Sequence, residues 1–474
     1  MLTVAEMQAT DARAQASVPL DVLVERAGTA VALAALDLLG GAYGRRIVVV
    51  AGKGNNGADG RVAASLLRYR GARVEVIDAA PAGSDIGPVD LVIDAAFGTG
   101  FRGEYRAPTV TPGTPVLAVD IPSGIDGDSG VASGVPLHAT ATVTFAALKP
   151  GLVQGDGPSL SGAITVADIG LPVEGARVHA MADDDIGSLL PARKREDHKW
   201  TSAVLVVAGS PGMTGAAGLC AMAAYRAGAG MVRLGIPGAD VGDTPASEAV
   251  SVRLPQAGWA EEALTQAERC QVVVVGPGIG RDDSTATDLR RLVDRSPVPV
   301  VVDADGLYAL GQLDTTVSST SAVVLTPHDG EYRRLMGEPP GSDRIDAARR
   351  LAERAGAVAL VKGTTTAVAE PDGRVVLGLA GTPALATAGT GDVLSGVIGA
   401  FIARGVLPLE AAGLAAHVHG RAANQGFTEG LVAGDLPRLV SDVLSRARVR
   451  SGVRVPVRVR VRAPKSRPTG RPRG

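Results

Sequence analysis

The stretch AGKGNNGADGRVAASLL, residues 51–67, places Gly52, Gly54 and Gly57 in G-x-G-x-x-G register directly after the apolar run RRIVVV. Such a turn brings backbone N–H groups close to a pyrophosphate at a helix N-terminus, which is dinucleotide chemistry. The adjacent amides Asn55 and Asn56 have little use in a hydride-transferring dehydrogenase. Two more apolar runs end in acids: VDLVIDAAFGTGFRGE at Asp94, and VLAVDIPSGID at Asp120 with Ser123 following. Asn, Asp and Ser oxygens suit a hard cation, and polar groups at the carboxyl ends of parallel strands can converge on one cleft. A separate constellation stands late in the chain. In TAGTGDVLSGVIGAFIARG, Gly389, Gly391 and Asp392 precede a long apolar helical stretch. Free N–H groups there form an anion hole for a transferring phosphoryl group. Asp392 at the same terminus can take a proton from an attacking hydroxyl.

The elements that carry these residues read as α/β. Runs such as IVVVAG, AVLVVAGS, CQVVVVGPG and VPVVVDAD have the continuous apolar character of parallel strands covered on both faces. Ala/Leu/Arg segments of helical spacing lie between them. At 474 residues, with 46% hydrophobic and 3% aromatic residues, the chain fills two or three domains whose cores are aliphatic. The break MADDDIGSLLPARKREDHKW divides two different α/β units, each opening on a strand, a Gly-rich turn and an Ala-rich helix. The expected layout is a first domain over 1–180, a linker over 181–197, a second domain over 198–445 and an Arg-rich tail over 446–474.

That tail holds eleven basic and no acidic residues, so the rest of the chain nets −13 against a total of −2. Its composition predicts a solvated, disordered extension. Cys220 and Cys270, in apolar surroundings, read as core residues of a reducing compartment. No signal-peptide pattern and no span of ~20 apolar residues is present, so a cytoplasmic protein without membrane or specific nucleic-acid partners is expected.

The order NNGAD, VIDAAFGTGFRGE, VDIPSGID and ATVTFAALKPG resembles the NAD(P)H-hydrate epimerase domain, over roughly residues 1–170. The resemblance implies a Rossmann-like three-layer fold. It further implies that Asn55, Asn56, Gly57, Ala58 and Asp59 touch substrate, as do Gly98, Thr99, Gly100, Phe101, Arg102, Gly103, Glu104 and Asp120. Asn56, Asp94 and Ser123 would hold K+. Asp120 and Lys149 are the candidates for proton transfer, because a carboxylate–ammonium pair can exchange the roles of base and acid. The family usually shows NNGGDG, and Ala58 departs from it. A helical Ala58 would be harmless, whereas a positive φ there would cost on the order of 1 kcal/mol.

The G-x-G-D motif before a late helix resembles the ribokinase-like superfamily. AGSPGMTGAA, GPGIG, VVDADGL, LTPHDGEYRRL and VKGTTTAVA resemble, in that order, the ADP/ATP-dependent NAD(P)H-hydrate dehydratase over residues 198–445. The resemblance sets Ala216, Gly278, His328 and Asp392 against the hydrated nucleotide. It sets Lys362, Gly363, Thr364, Thr365, Thr366 and Gly391 against ADP or ATP. Glu331, three residues beyond His328, shares its helical face and could orient Mg2+ through water. Asp303 and Asp305 serve either the site or a turn. His417 and His419, at i,i+2, face apart on a helix and read as packing groups.

Together these imply an enzyme that repairs hydrated NADH and NADPH (NADHX and NADPHX) and forms a homo-oligomer. One domain interconverts the R and S epimers; the other phosphorylates the S hydroxyl and eliminates phosphate. A vitamin-precursor kinase fused to a binding module, and a dinucleotide sensor without turnover, are the competing readings.

Overall fold

The structure, a computed structural model, describes residues 1–79, 85–240, 242, 244–246 and 248–452. The first sheet has six parallel strands in the order Ala163–Ala167, Ala141–Phe145, Val116–Val119, Leu91–Ala95, Arg46–Ala51 and Arg73–Asp78. Alternate residues of the central strand enter different cores. Ile47 and Val49 pack beneath the helices Leu20–Leu39 and Asn55–Tyr69, while Val48 and Val50 meet Ile86, Tyr105 and Val116 on the other face. Burial on both faces is why the run is apolar throughout. Strand order reverses between Arg46–Ala51 and Leu91–Ala95, which opens a crevice at their carboxyl ends.

The second sheet has ten strands. From one edge they run Val178–Ala180, Val375–Gly378, Thr366–Ala369, Val358–Val361, Val323–Leu325, Val300–Val302, Val272–Val275, Ala203–Val207, Met231–Pro237 and Val250–Leu254. Only Thr366–Ala369 runs against its neighbours. Helices Gly215–Arg226, Thr390–Ala403 and Pro408–Ala423 cover one face. Trp259–Ala267, Asp283–Arg295 and Arg344–Ala355 cover the other.

The domain boundary differs from expectation. Val178–Ala180 pairs in parallel with Val375–Gly378, and Ile186 of the helix Asp183–Leu189 joins the core of the second domain. The last three residues expected in the first domain are thus an edge strand of the second, and the start of the expected linker is a helix of the second domain, whose acids hid the one main apolar residue it buries. The last helix, Leu436–Gly452, carries the backbone seven residues into the expected tail. The rest of the tail lies outside the described residues. No helix among those described is long and apolar enough to cross a membrane.

The two domains also touch. Gln154, buried, donates to the Asp128 carbonyl (2.6 Å) and accepts from the Arg344 N–H (3.0 Å).

Candidate active sites

In the first domain the Gly-rich turn closes by direct backbone packing. A Cβ at Gly52 would stand 1.9 Å from the Ala96 carbonyl oxygen, and one at Gly57 would stand 1.9 Å from the Gly52 oxygen. The glycines let the helix Asn55–Tyr69 start against the switch point. Ala58 lies inside that helix, without positive φ, so it carries no strain.

Beyond this turn lies a cavity of about 820 Å³, lined by Gly52–Asn56, Asp59, Gly98–Arg102, Asp120 and Lys149 among others. Lys149 is 1% exposed. Its Nζ donates to Asp120 Oδ1 (2.6 Å), Thr144 Oγ1 (2.9 Å) and the Phe145 carbonyl (2.8 Å). Asp120 holds φ at 67°, a left-handed backbone that costs on the order of 1–3 kcal/mol and is characteristic of functional sites. Burial, with help from the Asp120 charge, pushes the Asp59 carboxyl up to about 8.

Below the 97–100 loop, Asp94 is fully buried and accepts from the Ser123 hydroxyl (2.6 Å) and the Ser123 N–H (2.9 Å). Burial raises its pKa against those hydrogen bonds. The Ser123 hydroxyl also lies 3.2 Å from the Phe97 carbonyl. Asn56 leaves a buried Nδ2 without a partner, and its Oδ1 faces Gly98.

In the second domain, four strand ends converge. Asp303, at the end of Val300–Val302, is 1% exposed. It accepts from Lys362 Nζ (2.6 Å), Thr326 Oγ1 (2.8 Å) and Ser395 Oγ (2.7 Å). Its successor Ala304 has φ 52°, a second strained residue beside a site. Asp392 sits in the first turn of Thr390–Ala403, after Gly389 at φ 87°. Burial and the Asp303 charge push its carboxyl up to about 7, against the pull of Lys362. Burial opposes the Lys362 charge, but Asp303 and Glu331 hold its pKa above the ordinary value. A Cβ on Gly391 would lie 3.3 Å from Lys362 Nζ, which places the G-x-G-D turn against this cluster. Gly278 packs against Ala216, 3.2 Å from its Cβ by the same measure. His328 caps the helix Asp329–Met336, its Nδ1 accepting from Gly330 N–H (3.0 Å), while Glu331 accepts from the His328 N–H (2.9 Å).

Residues 204–446 match the NAD(P)H-hydrate dehydratase family, and residues 20–87 and 78–151 match the family described as YjeF-related protein N-terminus. The chain is 39% identical to the bifunctional NAD(P)H-hydrate repair enzyme Nnr of Mycobacterium leprae, over 94% of this chain and 98% of that one. The chain belongs to this repair-enzyme family. It is 36% identical to the Nnr of Salinibacter ruber, over 94% and 97% of the two chains. A ribokinase-like superfamily protein of Enterococcus faecalis, 22% identical with a TM-score of 0.50, covers 59% of this chain and 98% of its own. That likeness bears on the fold of the second domain alone.

The structure brings together most of the family residues expected from sequence, with three qualifications. Gly57, Ala58, Gly103 and Glu104 do not line the cavity, whereas Asn55, Asn56, Asp59 and Gly98–Arg102 do. Thr365 directs its hydroxyl to the Val153 carbonyl of the first domain, so its side chain is already engaged. Asp305 pairs with Arg281 at 2.6 Å, while Asp303 joins the Lys362 cluster. Of the two acids in VVDADGL, Asp303 thus bonds Lys362, while Asp305 pairs with Arg281 and accepts from the Gly280 N–H (3.2 Å). His417 lies 3.0 Å from Asp183, and burial pulls the buried His419 down to about 4. Ser395, Thr326 and Asp11 are residues that sequence reasoning did not single out. Ser395 stands one helical turn after Gly391 and Asp392, a signal available from spacing.

Proposed function

We propose that this chain repairs hydrated NADH and NADPH in the cytoplasm, with R/S epimerisation in the first domain and nucleotide-dependent dehydration of the S epimer in the second. The observation that carries this reading is one family-wide match spanning two separate clusters, each at the carboxyl end of its own sheet. Neither cluster resembles redox machinery; one pairs a carboxylate with an ammonium, the other sets a raised carboxyl at an anion-binding helix start.

In the second domain, Asp392 takes the proton from the ring hydroxyl as its oxygen attacks the terminal phosphoryl group of ADP or ATP. The N–H groups behind Gly389–Gly391 hold the transferring group. Lys362 would offset phosphate charge, and Asp303, bonded to Ser395 and Thr326, holds its ammonium at 2.6 Å. Phosphate then leaves the ring carbon, and loss of a neighbouring ring proton restores the dihydropyridine. Among the described residues no three His, Cys, Asp or Glu side chains form a metal cage. Glu331 would orient Mg2+ through water, and the ion would supply neutralisation of phosphate charge.

In the first domain, the Asp94 carboxylate, the Ser123 hydroxyl and the Asn56 amide oxygen would hold K+ through hard oxygens. The buried Asp94 lacks any neighbouring cationic side chain among its hydrogen-bond partners, and K+ would offset its charge.

The test supplies a mixed-epimer preparation of hydrated NADH with Mg2+, K+ and either ADP or ATP, and follows the dihydronicotinamide absorbance. Full recovery is expected, faster with one donor, and slower for the R fraction when K+ is replaced by a larger organic cation. No recovery with either donor would sink the repair reading. The raised Asp392 also fixes a pH dependence. A base is active when deprotonated, so kcat/KM for the S epimer should fall as pH drops through about 7 and level off above it. An S-epimer profile flat from pH 5.5 to 8.5 would contradict the role given to Asp392.

A further inference from the structure

We propose that the polar face of the N-terminal helix Val4–Gln15 is a wall of the epimerase site, and that Asp11 is a catalytic residue there, touching the reacting hydroxyl of the hydrated nicotinamide ring. This rests on the epimerase reading of the first domain. The helix lies outside the segment that matches the N-terminal family, which begins at residue 20.

Met7, Gln8, Asp11 and Gln15 line the same cavity as Asp120 and Lys149. Their i, i+4 and i, i+3 spacing makes one helical face. The helix is clamped beside the proposed chemistry rather than laid loosely over it. The Leu2 N–H donates to the carbonyl of Leu148, next to Lys149 (3.1 Å), and the Val4 N–H donates to Asp128 Oδ1 (2.8 Å). Thr3 and Glu6 close a capping box at its start, and the Met1 ammonium donates to the Val178 carbonyl (2.7 Å).

Against this fixed frame, the side chains of Gln8, Asp11 and Gln15 make no hydrogen bond or ion pair with any described residue. Asp11 nevertheless feels its neighbours. Burial raises its pKa, Lys149 opposes that rise and Asp120 adds to it, so its carboxyl stands within electrostatic reach of the pair. Partly buried carboxyls without partners are costly to a fold, and a ligand bearing hydroxyl and amide groups would offset that cost.

The chemistry calls for such a group. Inverting the hydrated carbon breaks its C–O bond as a proton reaches the departing oxygen and the ring nitrogen lone pair forms C=N. Water then adds to the opposite ring face and gives up a proton, so the process consumes no oxidant and is balanced. Two faces need two proton-handling groups. The Asp120–Lys149 pair supplies one and Asp11 the other. The remaining charged groups around the cavity are Lys53, Asp59, Asp78 and Arg102.

The test compares Asp11→Asn, Gln15→Ala and Asp59→Asn with the wild-type full chain. R-to-S conversion is read by chromatography of the epimers, and S-epimer dehydration is read in the same samples. Asp11→Asn should lower epimerisation kcat ~100-fold, the low end for a positioned acid–base group, with KM little changed and one limb of the pH profile lost. Gln15→Ala should raise KM instead. Dehydration should be unchanged in both. Epimerisation by Asp11→Asn within about threefold of wild type and with its pH profile intact overturns the proposal. So does an equal loss of dehydration, which marks a folding defect, and so does loss of the limb in Asp59→Asn alone. A wild-type chain that dehydrates the S epimer but does not epimerise overturns the epimerase reading itself, a distinct result.

Discussion

Asp392→Asn should lower dehydration of the S epimer by ~1,000-fold while leaving R/S interconversion at the wild-type rate. Asparagine keeps the shape of the side chain at the start of Thr390–Ala403 but cannot accept the hydroxyl proton. The surrounding frame has its own bonds. Asp303 holds Lys362 at 2.6 Å and Ser395 at 2.7 Å without Asp392. The loss should therefore appear in kcat, with nucleotide and substrate binding largely kept. Losing a carboxyl that burial and Asp303 raise to about 7 also removes an unfavourable charge from the cluster, so the variant should melt no lower than wild type. In a mixed preparation, absorbance recovery should stop while chromatography shows the epimers still equilibrating. Dehydration that survives the substitution would move the base elsewhere in the cluster.

Lys149→Met should have the opposite pattern, abolishing epimerisation by ~1,000-fold and sparing dehydration. Methionine matches the aliphatic stem, so the loss isolates the ammonium. Here stability should fall too. Lys149 is 1% exposed, and its Nζ serves Asp120, Thr144 Oγ1 and the Phe145 carbonyl together. Removing one partner of a buried pair leaves the other charge uncompensated, at a cost of about 3–5 kcal/mol. Calorimetry should show the first domain melting earlier, with the second little altered. Adding Asp120→Asn removes the stranded charge, so the double variant should recover stability but not activity. If Lys149→Met epimerises normally, the ion pair is structural and proton transfer belongs to other groups in the cavity.

The two sites differ in how their electrostatics are built. In the first domain a buried cation meets one carboxylate directly, and other carboxyls nearby are raised. In the second, one ammonium faces Asp303, Glu331 and Asp392, an excess of negative charge suited to hold a base at about neutral pH until phosphate arrives.

Sequence by itself determined much of this protein. Valine runs buried on both faces read directly as parallel strands, because each alternate residue enters a different core. Gly52 and Gly57 were legible because backbone approaches of 1.9 Å to a hypothetical Cβ admit no other residue. Asp120 and Lys149, 29 positions apart, were named from motif order and chemistry, and the structure pairs them. What the tertiary structure alone decided is of another kind. Val178–Ala180 read as the end of the first domain and Asp183–Leu189 as linker because an edge strand and a short acidic helix bury too little to show a period, and only sheet pairing and core packing assign them to the second domain. Asp303 was separable from Asp305 only once Lys362, 59 residues away, was seen to bond one and not the other. Asp11 carries no local motif at all. Its role depends on where a clamped helix faces, and facing is set by long-range packing that no short window of sequence contains.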